Sequence, residues 1–441
     1  MSISEKNFSA DVVILAGGFG SRLISEIGKE IPKPMALIGG TPLLEHQILL
    51  CKNNGFKKIL ILVHHLSEVI KNYFGNGAQY GVEIDYVLEE KPRGTAGAIY
   101  DSLNYLNNKF IVIYGDTFLD VNLRKFYDAK LDTESVLTFC HPNSHPYDSD
   151  LLKLNSDNLV LDVFRPSKTG DKKYKNIVNA ALYIADKRVF MDYVKKDRPM
   201  DISSELFPLL IDHNEVIRGY QSVEYIRDMG TPKRFKSVNR AYEQNIPSLL
   251  SSTNLKRCVF IDRDGVINKH KGHINNINDF EILPKVSEAI SLLNENGYLA
   301  ICITNQPVIA RGELTFDELE EIHMKMEADL GLGGAYLDDI FYCPHHPDSG
   351  FDGEIIELKI NCNCRKPKPG LILEAIEKYN IDTSSSWMIG DHNRDIEAGI
   401  NAGLSTIFID DCSVGLKRQN ALSTITCKDL FSATNYILDN R

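Results

Sequence analysis

The chain has 441 residues, 43% of them hydrophobic and 25% charged, and a formal net charge of −11. That length exceeds one typical core and predicts two or three globular domains, while the acidic balance excludes a general nucleic-acid binder and leaves room for local phosphate sites. No run reaches the roughly 20 apolar residues of a membrane helix, and the start, MSISEKNFSADVVILAGG, has neither a basic nor a long apolar segment. The expectation is a cytoplasmic enzyme of small molecules, without nucleic-acid or membrane partners and with self-association left open.

Asp11 to Ala16 (DVVILA) reads as a first buried strand that runs into Gly17, Gly18, Phe19, Gly20, Ser21 and Arg22. Glycines let backbone N–H groups approach a phosphate closely, and Arg22 adds a planar charged donor. Ile31-Pro32-Lys33-Pro34 is a stiff loop that fixes a lysine nearby. The pattern then alternates as a βα fold does. Helix is predicted over Pro42 to Asn54 and Ser67 to Phe74, and strand over Lys58 to Val63 and Val82 to Leu88. Gly94, Thr95, Ala96 and Gly97 open another helix, whose N-terminus can receive a base or a phosphate. Phe110 to Tyr114 is a strand that delivers Gly115 and Asp116, and Tyr225 to Pro232 presents Asp228. Two aspartates on loops beside a phosphate loop are candidates for Mg²⁺.

AGGFGSRL, IPKPM, PRGTAGA, GDTFLD and RDMGTP, in this order, resemble the sugar-1-phosphate nucleotidylyltransferases. The resemblance spans roughly residues 10–240. It implies a Rossmann-like core and transfer of NMP from an NTP to a sugar 1-phosphate, with release of pyrophosphate. It implies that Ala16, Gly17, Gly18, Gly20, Ser21, Arg22 and Lys33 hold the triphosphate, that Gly94 and Thr95 lie by the base, and that Asp116 and Asp228 bind Mg²⁺. The sugar-side lysine of that family does not align cleanly; Lys168 or Lys175 stands near its place. Asn179 is either a sugar ligand or a buried bridging amide. His64, His65, His141 and His145 read as loop or surface residues.

Ala241 to Lys256 is polar and Ser-rich and reads as a linker. After it the strand pattern restarts with CVFIDRDGVIN, Cys258 to Asn268. The apolar run delivers Asp262 and Asp264 to a strand's carboxyl end, where open α/β sheets place their chemistry. One such acid can attack or bind metal while the other moves a proton. The next strand, Tyr298 to Ile303, ends in Thr304, Asn305 and Gln306, with Arg311 close behind. Cys343 with His345 or His346, and Cys362 with Cys364, form two pairs about a loop apart, which suits a closed four-ligand zinc site. Arg365 and Lys366 follow at once. The strand Trp387 to Ile389 ends in Gly390 and Asp391, with Asp395 four residues on.

The series DxD, Thr, Lys and GDxxxD resembles the haloacid dehalogenase superfamily of phosphatases over about residues 257–415. The zinc loop narrows this to the branch of heptose bisphosphate and histidinol-phosphate phosphatases, and favours His345 as the zinc ligand. Pro307-Val308 departs from the branch pattern beside the substrate loop. The resemblance implies that Asp262 attacks phosphorus and Asp264 serves as acid and base. It implies that Thr304 and Lys366 hold the phosphoryl group, and that Asp262, Asp264 and Asp391 bind Mg²⁺ with support from Asp395. Asn305, Arg311 and Arg365 would touch substrate.

The expected architecture is α/β throughout: a nucleotidylyltransferase domain over 1–240, a linker over 241–256 and a haloacid dehalogenase-like domain with a zinc loop over 257–441. Two such enzymes in one chain predict consecutive steps on one sugar, ending in GDP-heptose.

Overall fold

The computed structural model describes residues 8–18, 20–168, 173–350, 352–410 and 422–440. Phe19 of the glycine-rich loop lies outside them. Two compact units emerge. The first takes residues up to 141 together with 150–164 and 177–252; the second takes 142–149, 165–176 and 253 onward.

In the first unit, β1 (Ala10–Leu15), β2 (Lys58–Val63), β3 (Glu83–Leu88) and β4 (Leu106–Tyr114) form a parallel run within a nine-stranded sheet. β1 lies between β2 and β4, with Val13 paired to Leu60 and Val112. β1, β2 and the second half of β4 are apolar at nearly every position, as strands covered on both faces must be. The pleat divides them. Val13, Leu60, Leu62 and Val112 enter one core cluster, while Val12, Ile14, Ile59 and Ile61 enter the other. β5 (Thr117–Asp120) stands apart from this sheet. Beyond it, β6 (Val136–His141), β7 (Leu151–Leu154), β8 (Val160–Phe164), β9 (Val178–Asp186) and β10 (Ile217–Gln221) extend the sheet, with β9 antiparallel to β4. β11 (Tyr225–Asp228) pairs antiparallel with β5, which sets Asp228 opposite Thr117.

The segment read as a linker is partly helical. A helix over Pro232–Glu243 runs into it, and a short one covers Ile246–Leu249. Ile246 and Leu250 are buried. Their spacing of four puts them on one helical face, a signal the polar composition around them conceals.

The second unit holds a six-stranded all-parallel sheet. Its strands are β12 (Cys258–Ile261), β13 (Leu299–Asn305), β14 (Asp339–Cys343), β15 (Trp387–Gly390), β16 (Ser405–Ile409) and β17 (Ile425–Cys427), in the order β14-β13-β12-β15-β16-β17. The chain builds outward from β12 on one side, then crosses back to start β15 on the other. The crevice at that reversal, at the strands' carboxyl ends, is where such sheets bind ligands. Register brings the ends together: Ile261 pairs with Cys302 on one side and Ile389 on the other. Among the described residues no helix is long and apolar enough to cross a membrane.

Candidate active sites

In the first unit a cavity of about 490 Å³ opens where β1 and β4 end. Ala16, Gly17, Gly18, Gly20, Arg22, Lys33, Gly94, Thr95 and Asp116 all line it. Gly20 has φ +61, and a Cβ there would sit 2.9 Å from Lys33 Cβ, so only glycine lets the loop close over that lysine. Gly94 has φ +70, and a Cβ would lie 2.4 Å from the Met200 carbonyl oxygen. The same carbonyl accepts the Ala96 N–H at 3.0 Å, which ties the helix Gly94–Asp101 to this rim.

Lys33 is buried and its Nζ lies 2.5 Å from Asp116 Oδ2. Asp228 Oδ1 accepts from Arg234 Nη1 at 2.9 Å and from the Gly230 N–H at 2.9 Å. A Cβ on Gly230 would lie 2.8 Å from that carboxylate and 3.5 Å from Arg22 Nη2. Arg22 and Asp228 thus flank one glycine, and Asp228 faces the neighbour of Asp116 across the ladder. Ser21 begins the turn Ser21–Leu23.

The three expected sugar-side candidates are not among the lining residues. The Asn179 amide accepts from Thr138 Oγ1 and donates to Ser203 Oγ, both at 3.0 Å, so it bridges a strand and the helical turn Ile202–Leu206. Lys168 is exposed, and Lys175, counted with the second unit, pairs with Glu320 at 2.9 Å. Conversely, His64, Glu89, Tyr114 and Asp201 line the cavity without having been singled out as ligands. His64 is a loop residue, as expected, just after β2; it is half-buried and its Nδ1 is 2.7 Å from the Glu89 carbonyl oxygen. His141 is neither loop nor surface: it ends β6 and is buried, with Nδ1 3.2 Å from Arg227 Nη1. Only the fold decides which strand-end histidines are covered. Asp201 accepts from Thr95 Oγ1 at 3.0 Å and from the Ser203 N–H at 3.1 Å. Asp201 caps the helical turn Ile202–Leu206, its side chain accepting from the Ser203 and Ser204 N–H groups, and an aspartate just ahead of a helical stretch is its signal in the sequence.

In the second unit the crevice gathers four acids and a lysine. Asp262, Thr304, Lys366 and Asp395 are buried. Lys366 Nζ donates to Asp262 Oδ1 at 2.6 Å and to the Ile303 carbonyl at 2.7 Å, and pairs with Asp395 Oδ1 at 2.7 Å. Carboxylate oxygens of Asp262, Asp391 and Asp395 lie within 4.8 Å of one another. Gly265, at φ +89, approaches so closely that a Cβ would meet Asp391 Oδ2 at 2.1 Å. Burial first, and then the Asp395 charge, push the Asp262 carboxyl up to about 7 against the pull of Lys366. The same two causes push Asp391 up to about 6. Burial opposes the charge on Lys366, but Asp262 and Asp395 outweigh it and push it up to about 12. Burial also acts to raise Asp264, yet Arg263 and hydrogen bonds from Asn268 and Gln306 hold it below the usual carboxylate range.

Asn305 is not turned freely outward. Its Nδ2 donates to the Lys366 carbonyl and its Oδ1 accepts the Lys366 N–H, both at 3.1 Å. Arg365 Nη1 donates to the His345 carbonyl at 3.2 Å, and Arg311 Nη1 is 3.3 Å from His273 Nδ1.

Just before Lys366, Cys343, His345, Cys362 and Cys364 converge, with ligand atoms within 4.8 Å of one another. The Sγ–Sγ distances are 3.1, 3.3 and 3.5 Å, too long for disulfides. They are close to the roughly 3.8 Å edge of a tetrahedron with Zn–S of about 2.3 Å. His345 Nδ1 lies 3.2 Å from Cys364 Sγ, whereas His346 Nδ1 accepts the Asp348 N–H at 3.2 Å.

The Nucleotidyl transferase family matches residues 11–245, more than half of the chain. The HAD-hydrolase-like family matches residues 363–425. A D-glycero-beta-D-manno-heptose-1,7-bisphosphate 7-phosphatase from Vibrio cholerae is 36% identical over 184 residues, covering 42% of this chain and 97% of that protein. The chain joins a nucleotidyl transferase to a phosphatase of the haloacid dehalogenase type. A D-glycero-alpha-D-manno-heptose-1,7-bisphosphate 7-phosphatase from Photorhabdus laumondii is 42% identical over 156 residues, or 35% of this chain and 83% of its own length. The solved structure of HddC from Yersinia pseudotuberculosis aligns with 26% identity and a TM-score of 0.46 over 53% of this chain and 99% of its own.

Proposed function

We propose that this bifunctional enzyme makes a nucleotide-activated heptose. The second unit removes the 7-phosphate of D-glycero-D-manno-heptose 1,7-bisphosphate. The first unit then transfers GMP from GTP to the heptose 1-phosphate, giving GDP-heptose and pyrophosphate. The carrying observation is one chain that combines the transferase family over 11–245 with near full-length similarity to heptose bisphosphatases. A phosphatase that spares the anomeric phosphate yields the acceptor that a sugar-phosphate transferase needs. The test is incubation with the bisphosphate, GTP and Mg²⁺; formation of a nucleotide sugar only from another sugar phosphate or another NTP would overturn the assignment.

In the phosphatase, an Asp262 oxygen attacks phosphorus and the P–O bond to the sugar breaks. The leaving oxygen takes a proton from Asp264. Water then attacks phosphorus, the bond to Asp262 breaks, and Asp264 receives the water proton. Its resting carboxylate suits this second step. For the first step, the arriving phosphate dianion raises its proton affinity, since like charges disfavour ionisation. Thr304 and Lys366 hold the phosphoryl oxygens, and Asn305 fixes the Lys366 backbone. Three clustered carboxylates with one lysine fit a divalent cation, which Asp262, Asp391 and the Asp264 carbonyl would hold. Bound Mg²⁺ would neutralise charge between acids and phosphate. In the transferase a phosphate oxygen of the sugar attacks the α-phosphorus and pyrophosphate leaves. The Gly17–Arg22 loop and Lys33 position the chain of phosphates, and Asp116 with Asp228 would hold the cation.

A pH dependence follows. Asp262 and Asp391 are held up at about 7 and about 6, so they are protonated below these values and ionised above. A cation must displace those protons. Titrating phosphatase rate with Mg²⁺ should therefore show roughly tenfold or greater weakening of the apparent affinity between pH 8 and pH 6; a pH-independent affinity would contradict this cation site.

The four-ligand loop would bind a structural zinc through Cys343, His345, Cys362 and Cys364. Cys364 lies two residues before Lys366, so the metal would fix the lysine's loop. Elemental analysis should find about one zinc per chain. Cys362→Ser should lower zinc content and phosphate release about tenfold or more while nucleotidyl transfer persists. Full zinc content in that variant would remove Cys362 from the ligand set.

A further inference from the structure

Among the described residues, one of the largest fully buried side chains is charged. Arg263, between the two acids of the Asp262 loop, has 0% exposure. A buried guanidinium is retained only where its donors are met, and these are met by the site's own groups. Nη2 donates to Asp264 Oδ2 at 3.0 Å, to Asp264 Oδ1 at 3.1 Å and to Gln306 Oε1 at 3.0 Å. Nη1 lies 3.4 Å from Nε2 of the buried His323. Arginine only donates, so that imidazole nitrogen is an acceptor and His323 carries its proton on Nδ1.

The same rule fixes Gln306. Its amide oxygen faces a donor, Arg263, and its nitrogen faces an acceptor, Asp264 Oδ2, at 2.9 Å. No flipped amide satisfies both. That nitrogen also donates to Thr304 Oγ1 at 2.8 Å. The Thr304 hydroxyl, accepting there, is left with its hydrogen to donate elsewhere. Asn268 Nδ2, also buried, donates to Asp264 Oδ1 at 3.0 Å. The acid–base carboxylate is thus held at both oxygens, and one glutamine links it to the phosphoryl-binding hydroxyl.

We propose that Arg263 and Gln306 are positioning residues of the phosphatase. Arg263 locks the Asp264 carboxyl in line with the leaving oxygen, and Gln306 ties that carboxyl to a Thr304 hydroxyl turned toward the phosphoryl group. This rests on the reading of the site as a phosphatase with Asp262 as nucleophile. The proton passes from Asp264 to the alkoxide oxygen as the P–O bond breaks and the bond to Asp262 forms. An ester whose alcohol leaves poorly depends on that transfer. An ester whose leaving group is stable as an anion does not.

The experiment compares kcat/KM, which reports formation of the phosphoenzyme, for the sugar bisphosphate and for p-nitrophenyl phosphate. Arg263→Lys keeps the charge and loses the fork. It should fall about 100-fold on the sugar ester and no more than about threefold on the aryl ester, within the range general acid catalysis supplies. Gln306→Met, which leaves Arg263 paired to Asp264, should lose about threefold on both esters through Thr304 and about tenfold more on the sugar ester alone, and it decides the matter if the lysine variant does not fold. Equal losses on both esters would make these residues merely structural and overturn the proposal, as would no loss on either. Asp262→Asn serves as the control: if it still hydrolyses either ester, the reading of the site fails, whatever Arg263 does.

Discussion

Asp262→Asn is expected to abolish phosphate release, by about 10⁴-fold or more, and to leave nucleotidyl transfer unchanged. An uncharged amide cannot attack phosphorus, yet it has nearly the shape of the acid it replaces. Lys366 keeps two partners, Asp395 Oδ1 at 2.7 Å and the Ile303 carbonyl at 2.7 Å. Stability should move the other way. The Asp262 carboxyl is raised in the fold to about 7 by burial and by Asp395. A carboxyl raised on folding contributes stability that is fully present below its unfolded pKa, near 4, and is lost as pH rises through the folded value. Asparagine never ionises and escapes that loss. The metal-free variant should therefore melt no lower than the parent at pH 8. Phosphate release, pyrophosphate release and thermal melting, measured on one preparation, separate the outcomes. Retained phosphate release would remove Asp262 as nucleophile. Loss of both activities with a lowered melting point would show damage to the fold instead.

Asp116→Ala is expected to abolish nucleotidyl transfer, by about 10³-fold or more, with phosphate release intact. Asp116 ends the strand Leu106–Tyr114 and its neighbouring glycine, and it lines the same cavity as Arg22 and Lys33. Its carboxylate currently holds Lys33 at 2.5 Å. An incoming triphosphate offers that lysine a better anion, and a cation on Asp116 would take over its charge. Alanine removes the cation ligand and leaves a buried ammonium without its partner, so this variant should also lose some stability. Asp116→Asn keeps the volume and a hydrogen-bond acceptor for Lys33, and should lose transfer with less loss of stability. Pyrophosphate release from GTP and a sugar 1-phosphate reports the chemistry directly. If Asp116→Ala transfers nucleotide at the parent's rate, the cation is held elsewhere. If phosphate release falls in parallel, the two active sites are coupled.

Much of the fold could be read from apolar periodicity and turn residues. Lys58–Val63 and Ser67–Phe74 form as the pattern expects. Other elements run past their expected ends. The strand expected over 298–303 continues through Thr304 and Asn305, because neighbouring strands supply ladder partners that a polar sequence does not advertise. Thr304 pairs with Tyr342 and Asn305 with Cys343. Ile246 and Leu250 were hidden in a polar stretch for the converse reason: two side chains suffice to dock a short helix when a surface is waiting.

The metal and phosphate groups were legible as short local signals. Asp262 with Asp264, Asp391 with Asp395 and Cys362 with Cys364 each lie close in sequence. Strand ends and a tight loop then bring these pairs together. Arg263 gave no such signal, since an arginine between two aspartates reads as a solvated charge. Gln306, Tyr114 and His64 depend on contacts with residues tens of positions away, and no spacing rule reports those.

By itself the sequence determined that the chain is α/β and carries two enzymatic chemistries. Strand period, glycine-rich turns and acids at strand ends are local properties, and the backbone must honour them. Tertiary structure decided which charges face which. It buried Arg263 beside Asp264, set Lys366 between Asp262 and Asp395, and turned Asn305 onto the backbone it supports. Electrostatic and hydrogen-bonding strength depends on distance and on exclusion of water. Both are set only when separate strands end side by side.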